Sequence, residues 1–194
     1  MFFFKKKKLP NYMIFMYRVT KFKWIANELK TVNTNELTIL LYFFEQTMED
    51  MKKLLSAAEV DFQVSSGGAM LSKGVHLMDA RVFKGSTLPK ADRIMVLEVH
   101  PMKSINDIPL LASQDSKGAN MIYYSGIDEA VMETAGGERI QQLMARMGMD
   151  GDQPIAHSMI SKSVDRAVMK IEEETVQHQD VKSSQADWLS ANQR

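Results

Sequence analysis

The stretch from Gly136 to Glu174 constrains the fold most, because it carries the pattern of two amphipathic helices joined by a sharp turn. In each helix apolar residues recur every three or four positions, which places them on one helical face. The first helix has Ile140, Leu143, Met144 and Met147 on this face. The second has Ile160, Val164, Ala167, Val168 and Ile171, with Lys162, Asp165, Arg166 and Lys170 left for solvent or a partner. The sequence therefore predicts a helix–turn–helix pair that must pack against something.

The ends of these helices carry residues typical of caps. Gly136-Gly137 lets the chain turn into the first helix, and Gly148 suits the left-handed conformation that closes it. Asp150-Gly151-Asp152 predicts the turn between the helices. We expect Asp152 to be the N-cap of the second helix, which is entered through Pro154.

The same stretch resembles the start of the helical scaffold region of SecA, the ATP-driven motor of bacterial preprotein export. The resemblance is strong over about residues 136–172 and weak upstream. The matching positions are Gly136-Gly137, Arg139-Ile140, Leu143-Met144, Arg146, Gly148-Met149-Asp150, Asp152, Pro154-Ile155, His157, Met159, Ser161-Lys162, Arg166-Ala167 and Lys170. Helix periodicity alone does not account for a series that mixes apolar, charged and turn residues.

The resemblance implies partners and a cofactor. The partners would be the Sec translocation channel or the full-length motor, with peripheral association at the membrane. We expect the contacts to come from Met144, Met147, His157, Met159, Lys162 and Arg166, since methionines make adaptable contact surfaces. ATP is the implied cofactor.

Residues 35–135 have the pattern of an α/β portion. Leu37–Phe44 is a continuous apolar run, as in a strand buried on both faces. A helix at about Met48–Ala58 and a strand at Val60–Val64 follow, and this βαβ unit resembles the opening of the second RecA-like motor domain of SecA and related helicases. Further strands are predicted at Ile94–Val99 and Ile122–Ser125. The predicted fold class is α/β: a partial RecA-like α/β domain followed by a helical scaffold-like segment, residues 136–194.

Residues 1–34 form a basic aromatic N-terminal arm. Residues 1–31 hold eight Lys or Arg against the single acid Glu28. Such segments can lie on anionic lipid or stack on single-stranded nucleic acid. The interpretation that we favour is a solvated terminus followed by a packed strand or helix.

Composition excludes several kinds of chemistry. The 194 residues include no cysteine, which excludes disulfides, thiol catalysis and thiolate metal sites. The net charge is zero, so no overall field selects nucleic acid or a membrane. No apolar run approaches the ~18 residues that span a bilayer, and MFFFKKKK has the reverse order of a signal peptide. We interpret the protein as cytoplasmic, with peripheral inner-membrane association implied by the resemblance.

The residues are poorly suited to ATP hydrolysis. Ser65-Ser66-Gly67-Gly68 lacks the lysine and hydroxyl pair of a P-loop. The loop Ala112–Gly118 falls where SecA-like motors carry an arginine-rich motif that touches ATP, yet no arginine lies between positions 93 and 139. Lys117 and Gly118 are the candidates for a nucleotide contact, although lysine lacks the forked geometry of arginine.

Other candidate sites are weaker still. Asp128-Glu129 is interpreted as a solvated acid pair that starts a helix rather than as a Mg²⁺ site. Glu98 and His100 could share a strand face and bind a metal, but no third ligand is evident, so a surface or hydrogen-bonded histidine is expected. No catalytic set can be named from spacing. After Glu174 the polar sequence predicts a partial helix that frays.

These observations favour a SecA-like subunit of protein export that does not hydrolyse ATP by itself. The alternative is a non-enzymatic interaction module, with the basic arm for acidic surfaces and the Met-rich helical face for a protein partner. A small α/β enzyme with an unrecognised site is a third hypothesis. If residues 1–135 are a truncated domain, an exposed sheet edge would favour self-association.

Overall fold

A parallel β-sheet forms the centre of the fold in the computed structural model, which describes residues 10–33, 35–66, 71–84, 91–114, 120–146 and 153–193. The strands in these residues are β1 (Asn11–Phe15), β2 (Leu37–Tyr42), β3 (Phe62–Ser65), β4 (Gly74–Asp79), β5 (Arg93–Val96) and β6 (Asn120–Gly126). Their order is β1-β6-β5-β2-β4-β3, and each neighbouring pair is parallel. The predicted α/β class is confirmed.

Helices cover both faces of this sheet. They are α1 (Arg18–Lys30), α2 (Glu45–Ala57), α3 (Lys103–Gln114), α4 (Ala130–Thr134), α5 (Gly137–Arg146), α6 (Ser158–Glu174) and α7 (Gln185–Asn192). Crossovers between parallel strands are right-handed, so connections that run in opposite directions across the sheet lie on opposite faces. Accordingly, α1 and α2 bury one face around Phe22, Ile25 and Met51. Helices α3 to α7 bury the other, around Val131, Val164 and Trp188.

The central strands agree with the apolar runs in the sequence. Strand β2 is buried along Leu37–Leu41, as expected of a strand between two helical layers. The predicted βαβ unit is present, but β4 lies between its two strands, so β2 and β3 are not neighbours. Helix α3 was not predicted, and it includes residues 112–114 of the expected loop; residues 115–118 lie outside the described residues.

The described part of residues 1–34 is a strand and a helix. Strand β1 pairs with β6 at one edge of the sheet, and α1 packs on the same sheet. Aromatic residues of this region have no helical spacing because they come from different elements, and they contact one another in the folded chain. The Phe15 ring lies 5.7 Å from the Trp24 ring and 6.4 Å from the Tyr124 ring, measured between centroids. The favoured interpretation, a packed strand or helix after the terminus, is confirmed.

The two amphipathic helices form α5 and α6. Ile140 and Met144 of α5 are buried, as are all five predicted apolar positions of α6. The expected turn and C-cap at residues 148–152 lie outside the described residues. The predicted N-cap at Asp152 is wrong, because α6 begins at Ser158 and the His157 imidazole accepts a hydrogen bond from the Met159 N–H at 3.2 Å.

Asp165 was expected on the solvent side of α6, and this prediction is wrong. Its carboxylate is buried and lies 3.1 Å from the Lys103 ammonium of α3. The two helices pack together, so the charge pair replaces solvent at that point. Just before α6, Ile155 exchanges two backbone hydrogen bonds with Ile14, at 2.9 and 2.8 Å. The connection between α5 and α6 therefore covers the outer side of edge strand β1.

Residues 175–193, which we name the C-terminal strap, were expected to form a partial helix that frays; the partial helix is present, and the expected fraying is wrong. The strap leaves α6, runs without regular secondary structure to Ser184 and ends in α7. Its Trp188 side chain is fully buried. The Asn192 side chain accepts from the Gln179 N–H at 2.7 Å and donates to the Gln179 carbonyl at 3.1 Å, which ties the two ends of the strap together.

Candidate functional site

The best-placed crevice for a ligand lies between the carboxyl ends of β2 and β5. These strands are neighbours, but the chain leaves β2 for the α1–α2 face and β5 for the opposite face. Ligands of open α/β sheets bind where neighbouring connections diverge in this way, outside the carboxyl ends of the strands. The N-terminus of α2 also points into this region, with N–H groups that have no partner within the helix.

The Glu98 carboxylate fills this crevice. One oxygen accepts hydrogen bonds from the N–H groups of Phe43 and Phe44, both at 2.9 Å, and the other accepts from the Thr47 hydroxyl at 2.6 Å. Glu98 is only 3% exposed. Burial raises the pKa of its carboxyl above the ordinary value, and the hydrogen bonds from Thr47 and Phe43 offset part of this effect. The chain thus places its own acid where an anionic ligand would bind.

The C-terminal strap accepts from the first two N–H groups of α2. The Glu45 N–H donates to the Lys182 carbonyl at 2.8 Å, and the Gln46 N–H donates to the Ser183 carbonyl at 2.9 Å. Gln185 then anchors the strap, since its side chain accepts from the Val131 N–H at 2.9 Å and donates to the Val99 carbonyl at 2.7 Å. The four successive N–H groups at residues 43–46 are therefore satisfied by groups of this chain.

An aromatic layer seals the crevice beneath the strap. The His100 ring stacks on Phe44 with centroids 5.3 Å apart and meets Trp188 edge-on at 5.5 Å. Burial, together with the positive charge of Arg81, lowers the pKa of His100 to about 3. His100 Nδ1 accepts a hydrogen bond from the Met102 N–H at 3.0 Å. The sequence predicted a surface or a hydrogen-bonded histidine, and the structure shows the second, with the ring buried.

A second polar cluster lies at the carboxyl end of β6. The buried Lys21 ammonium contacts the Glu129 carboxylate and donates to the Leu97 carbonyl at 2.7 Å. Glu129 also accepts from the Ser125 hydroxyl at 2.6 Å and the Gly126 N–H at 3.1 Å. Glu129 does start helix α4, as predicted, but the expectation that it is solvated is wrong. The topology surrounds it with donors from α1 and β6.

Arg18 connects the two clusters. Its guanidinium donates to Asp50 at 2.7 Å and to the Thr47 hydroxyl at 3.2 Å, and it lies 3.7 Å from Glu129. Thr47 in turn donates to Glu98. A continuous chain of polar contacts therefore runs along the carboxyl edge of the sheet, from Glu98 to Lys21.

The donor set at this edge does not fit a nucleoside triphosphate. Glu98 takes the N–H groups of Phe43 and Phe44, just before α2, and the strap takes the first two N–H groups of α2. Arg18 and Lys21 face carboxylates. Ser65, from the glycine-rich stretch, hydrogen-bonds His76 at 2.8 Å. Lys117, Gly118 and Gly67-Gly68 lie outside the described residues. No cluster of metal-ligating side chains occurs in the part of the chain that the structure describes, the Glu98–His100 region included.

The structure separates the predicted partner contacts into two groups. Met144 is fully buried in the core and is not available to a partner. His157, Lys162 and Arg166 are exposed on or beside α6, and Met159 is 67% exposed. Met147 lies outside the described residues.

Sequence reasoning missed Lys21, Thr47 and Trp188. Lys21 carried a signal, because it lies four residues before Ile25 on the apolar face of α1, where an exposed lysine would be out of place. Thr47 and Trp188 carried none, since their partners come from distant parts of the chain.

Comparison with known proteins finds relatives of one kind. The chain is 45% identical over 60 residues to "Protein translocase subunit SecA" of Christiangramia forsetii, covering 31% of this chain and 5% of that protein. It is 40% identical over 50 residues to SecA of Treponema pallidum, covering 26% and 6%. With "Protein translocase subunit SecA 1" of Clostridioides difficile it shares 27% identity over 109 residues, covering 52% and 12%. The partial resemblance to SecA is confirmed, and it spans a small part of these relatives' length.

Solved structures resemble the chain in fold. The C-terminal part of the Fun30 ATPase domain gives a TM-score of 0.44 at 12% identity, covering 76% of this chain and 52% of that one. The C-terminal domain of the DEAD-box protein Dbp5 gives 0.44 at 10% identity, covering 69% and 86%. No protein-family model matches the sequence. Within the described ranges, every helix is too short or too polar to cross a bilayer.

Proposed function

We propose that this chain is a SecA-like component of protein export that docks onto the export machinery and does not itself bind or hydrolyse ATP. The observation that carries the link to export is the sequence likeness to SecA proteins of several bacteria. The partners in this proposal are the Sec translocation channel or the full-length motor. The chain works as a soluble cytoplasmic subunit that reaches the inner membrane through them.

The closed crevice supports the absence of nucleotide turnover. Phosphate binding at a helix N-terminus requires free N–H donors. At the start of α2 the N–H groups of Phe44, Glu45 and Gln46 donate to Glu98, Lys182 and Ser183 instead. Transfer of a phosphoryl group also requires a cation directed at the developing charge. Arg18 is directed at Asp50 and Thr47. Arg81 donates to the Phe43 carbonyl at 2.6 Å and pairs with Asp79 at 3.0 Å.

Titration of Mg-ATP into the purified intact chain tests the nucleotide part. We expect no heat of binding at micromolar Mg-ATP. A full-length SecA, titrated in the same way, serves as the positive control. Micromolar binding with release of phosphate would show that the closed crevice opens and would contradict the proposal.

Binding to purified export components tests the docking part. The intact chain is incubated with vesicles that contain the Sec channel, with purified full-length SecA, and with empty vesicles of the same lipid. We expect retention by the channel or the motor that persists at high salt, because charge contacts alone weaken as salt screens them. Equal retention by empty vesicles, lost at high salt, would exclude this function.

A further inference from the structure

A groove of about 560 Å³ lies between the exposed sides of α5 and α6. Arg139, Leu143 and Arg146 line it from α5, at i, i+4 and i+7. Met159, Ser163 and Arg166 line it from α6 with the same spacing. Seven residues of helix rise by about 10 Å, so the groove accommodates about two turns of a helix laid along it.

The floor and the rim of this groove differ in chemistry. Ile140 and Ile160 form a buried apolar floor, and Leu143 is partly buried beside it. Met159 is 67% exposed, and its flexible thioether can adapt to an apolar partner. The rim carries three exposed arginines: Arg139, Arg146 and Arg166.

These arginines differ from the others that the structure describes. Arg18, Arg81 and Arg93 each have a carboxylate partner, at 2.7, 3.0 and 3.8 Å. Among the described residues, none of the three groove arginines has a carboxylate within ion-pair distance. Guanidinium groups pair with carboxylates through two parallel hydrogen bonds. The groove therefore presents positive charge that is complementary to acidic side chains.

We propose that the α5–α6 groove binds an amphipathic helix of a partner protein, with apolar residues facing Ile140 and Ile160 and with Asp or Glu at its flanks. Helices dock in this way when apolar anchors recur at i, i+3, i+4 and i+7. Single-stranded nucleic acid fits the groove less well, because the described residues that line the groove include no aromatic ring on which a base could stack. The inference names the partner chemistry for the docking role above and rests on that proposal only for the identity of the machinery.

A pair of labelled helical peptides tests the groove directly on the intact chain. Both carry leucine at i, i+3, i+4 and i+7; one has glutamate at the flanking positions and the other has lysine there. Fluorescence anisotropy at moderate salt measures the affinity of each. We expect the acidic peptide to bind and the basic peptide to bind at least about tenfold more weakly, because like charges across an interface repel.

Variants of the chain separate charge from apolar contact. Arg139→Glu combined with Arg166→Glu should weaken the acidic peptide about tenfold, while Lys170→Glu, a charge reversal on α6 outside the groove lining, should leave it within about twofold. Met159→Ala should weaken both peptides about fivefold. Met169→Ala is its matched control, because Met169 is 44% exposed on α6 but does not line the groove. Circular dichroism confirms that each variant is folded.

Several outcomes would overturn the inference. Equal affinity of the chain for the two peptides would contradict it. An equal loss of peptide affinity in the groove variants and in their controls would contradict it as well. Displacement of the acidic peptide by a thymidine oligonucleotide would assign the groove to nucleic acid. A dimer in sedimentation experiments that dissociates on Arg166→Glu would assign it to a second copy of this chain. If the intact chain and its groove variants bind the export components equally well, the inference fails and the proposed function stands. If the chain binds the acidic peptide but none of the export components, the proposed function fails and the inference stands.

Discussion

His100 shows at the residue scale how burial fixes a protonation state. Its ring is fully buried between Phe44 and Trp188, and its Nδ1 accepts a backbone hydrogen bond, so the folded chain holds the neutral imidazole. Protonation would place a charge in an apolar layer beside the guanidinium of Arg81. Folding therefore opposes protonation of this side chain.

The pKa of His100 predicts a loss of stability in mild acid. The pKa is about 3 in the folded chain against 6.5 for the free side chain. The unfolded chain thus binds the proton first, so the contribution of this residue is complete above about pH 6.5 and falls as the pH drops towards 3. We expect urea denaturation to show about 2 kcal/mol less stability at about pH 5 than at about pH 7.5 from this residue alone.

His100→Phe isolates this effect, because it keeps a ring of similar size and removes the titration. The pH dependence of the free energy of unfolding should shrink by that amount in His100→Phe. Because the pKa of Glu98 is raised, its contribution to stability falls as the pH rises, which is the opposite sense. This contribution cancels in the comparison of His100→Phe with the unaltered chain, since both contain Glu98. An unchanged pH dependence in His100→Phe would show that the imidazole is accessible to protons.

The roles of these side chains could not be predicted from the sequence, although the pair Glu98 and His100 was noticed. The two N–H groups that Glu98 accepts from lie 55 and 54 residues away in the chain. Spacing along the chain reveals ligands that are close in sequence, such as a metal pair on one strand. It does not reveal partners that the sheet order brings together.

The C-terminal strap is the element whose role differs most from its sequence pattern. Its apolar residues are too few for a helical face, and Val176 is 95% exposed. Trp188 is nevertheless fully buried, with its ring 5.5 Å from that of His100 and 5.8 Å from that of His178, measured between centroids. One large side chain thus fixes an otherwise polar segment over the carboxyl edge of the sheet.

Trp188→Ala should therefore destabilise the whole chain. Removing a fully buried aromatic side chain leaves a cavity, and the expected cost is about 3 to 5 kcal/mol in the free energy of unfolding. Val176→Ala is the control within the same strap, with an expected change below about 0.5 kcal/mol. If urea denaturation gave Trp188→Ala the same stability as the control, the strap would be a loosely attached tail.

The periodicity of apolar residues predicted several elements that are buried on one face or on both, and it missed others. The apolar positions of α5 and α6 and the continuous run of β2 follow directly from burial on one face or two. Helix α3 escaped because Pro109 lies inside it, and proline normally ends a helix. The N-cap of α6 was misplaced because an aspartate is the commoner cap, whereas His157 accepts the bond here.

The two edges of the sheet differ at the scale of the whole molecule. The β1 edge is covered by the hydrogen bonds between Ile14 and Ile155. At the β3 edge, no described strand pairs with the outer side of Phe62–Ser65, and Val64 is 55% exposed. An open edge with apolar side chains is a template for pairing with other chains. The sequence predicted an exposed edge only on the condition that residues 1–135 are a truncated domain. It did not indicate which strand would supply that edge, because strand order is not encoded in apolar runs.

Val64→Lys should reduce aggregation on heating without weakening the fold. A lysine on an edge strand opposes strand addition, and an exposed substitution changes stability by less than about 0.5 kcal/mol. Val82→Lys is the matched control, because Val82 is 41% exposed and lies in the short helical turn after β4. Light scattering during heating should rise more slowly for Val64→Lys than for the control. Equal scattering would show that association uses another surface.

The pairing of β1 with β6 also sets an order of events during synthesis. Asn11 lies opposite Ile122 in the sheet, so about 110 residues must follow β1 out of the ribosome before its partner exists. At about 5–20 residues per second, this delay is on the order of 5–20 seconds. Ile155, which covers the other side of β1, emerges later still. Of the described strands, β1 is therefore made before the other five and paired last, and a nascent chain with β2 to β5 paired and β1 unpaired is the species that we expect a chaperone to meet.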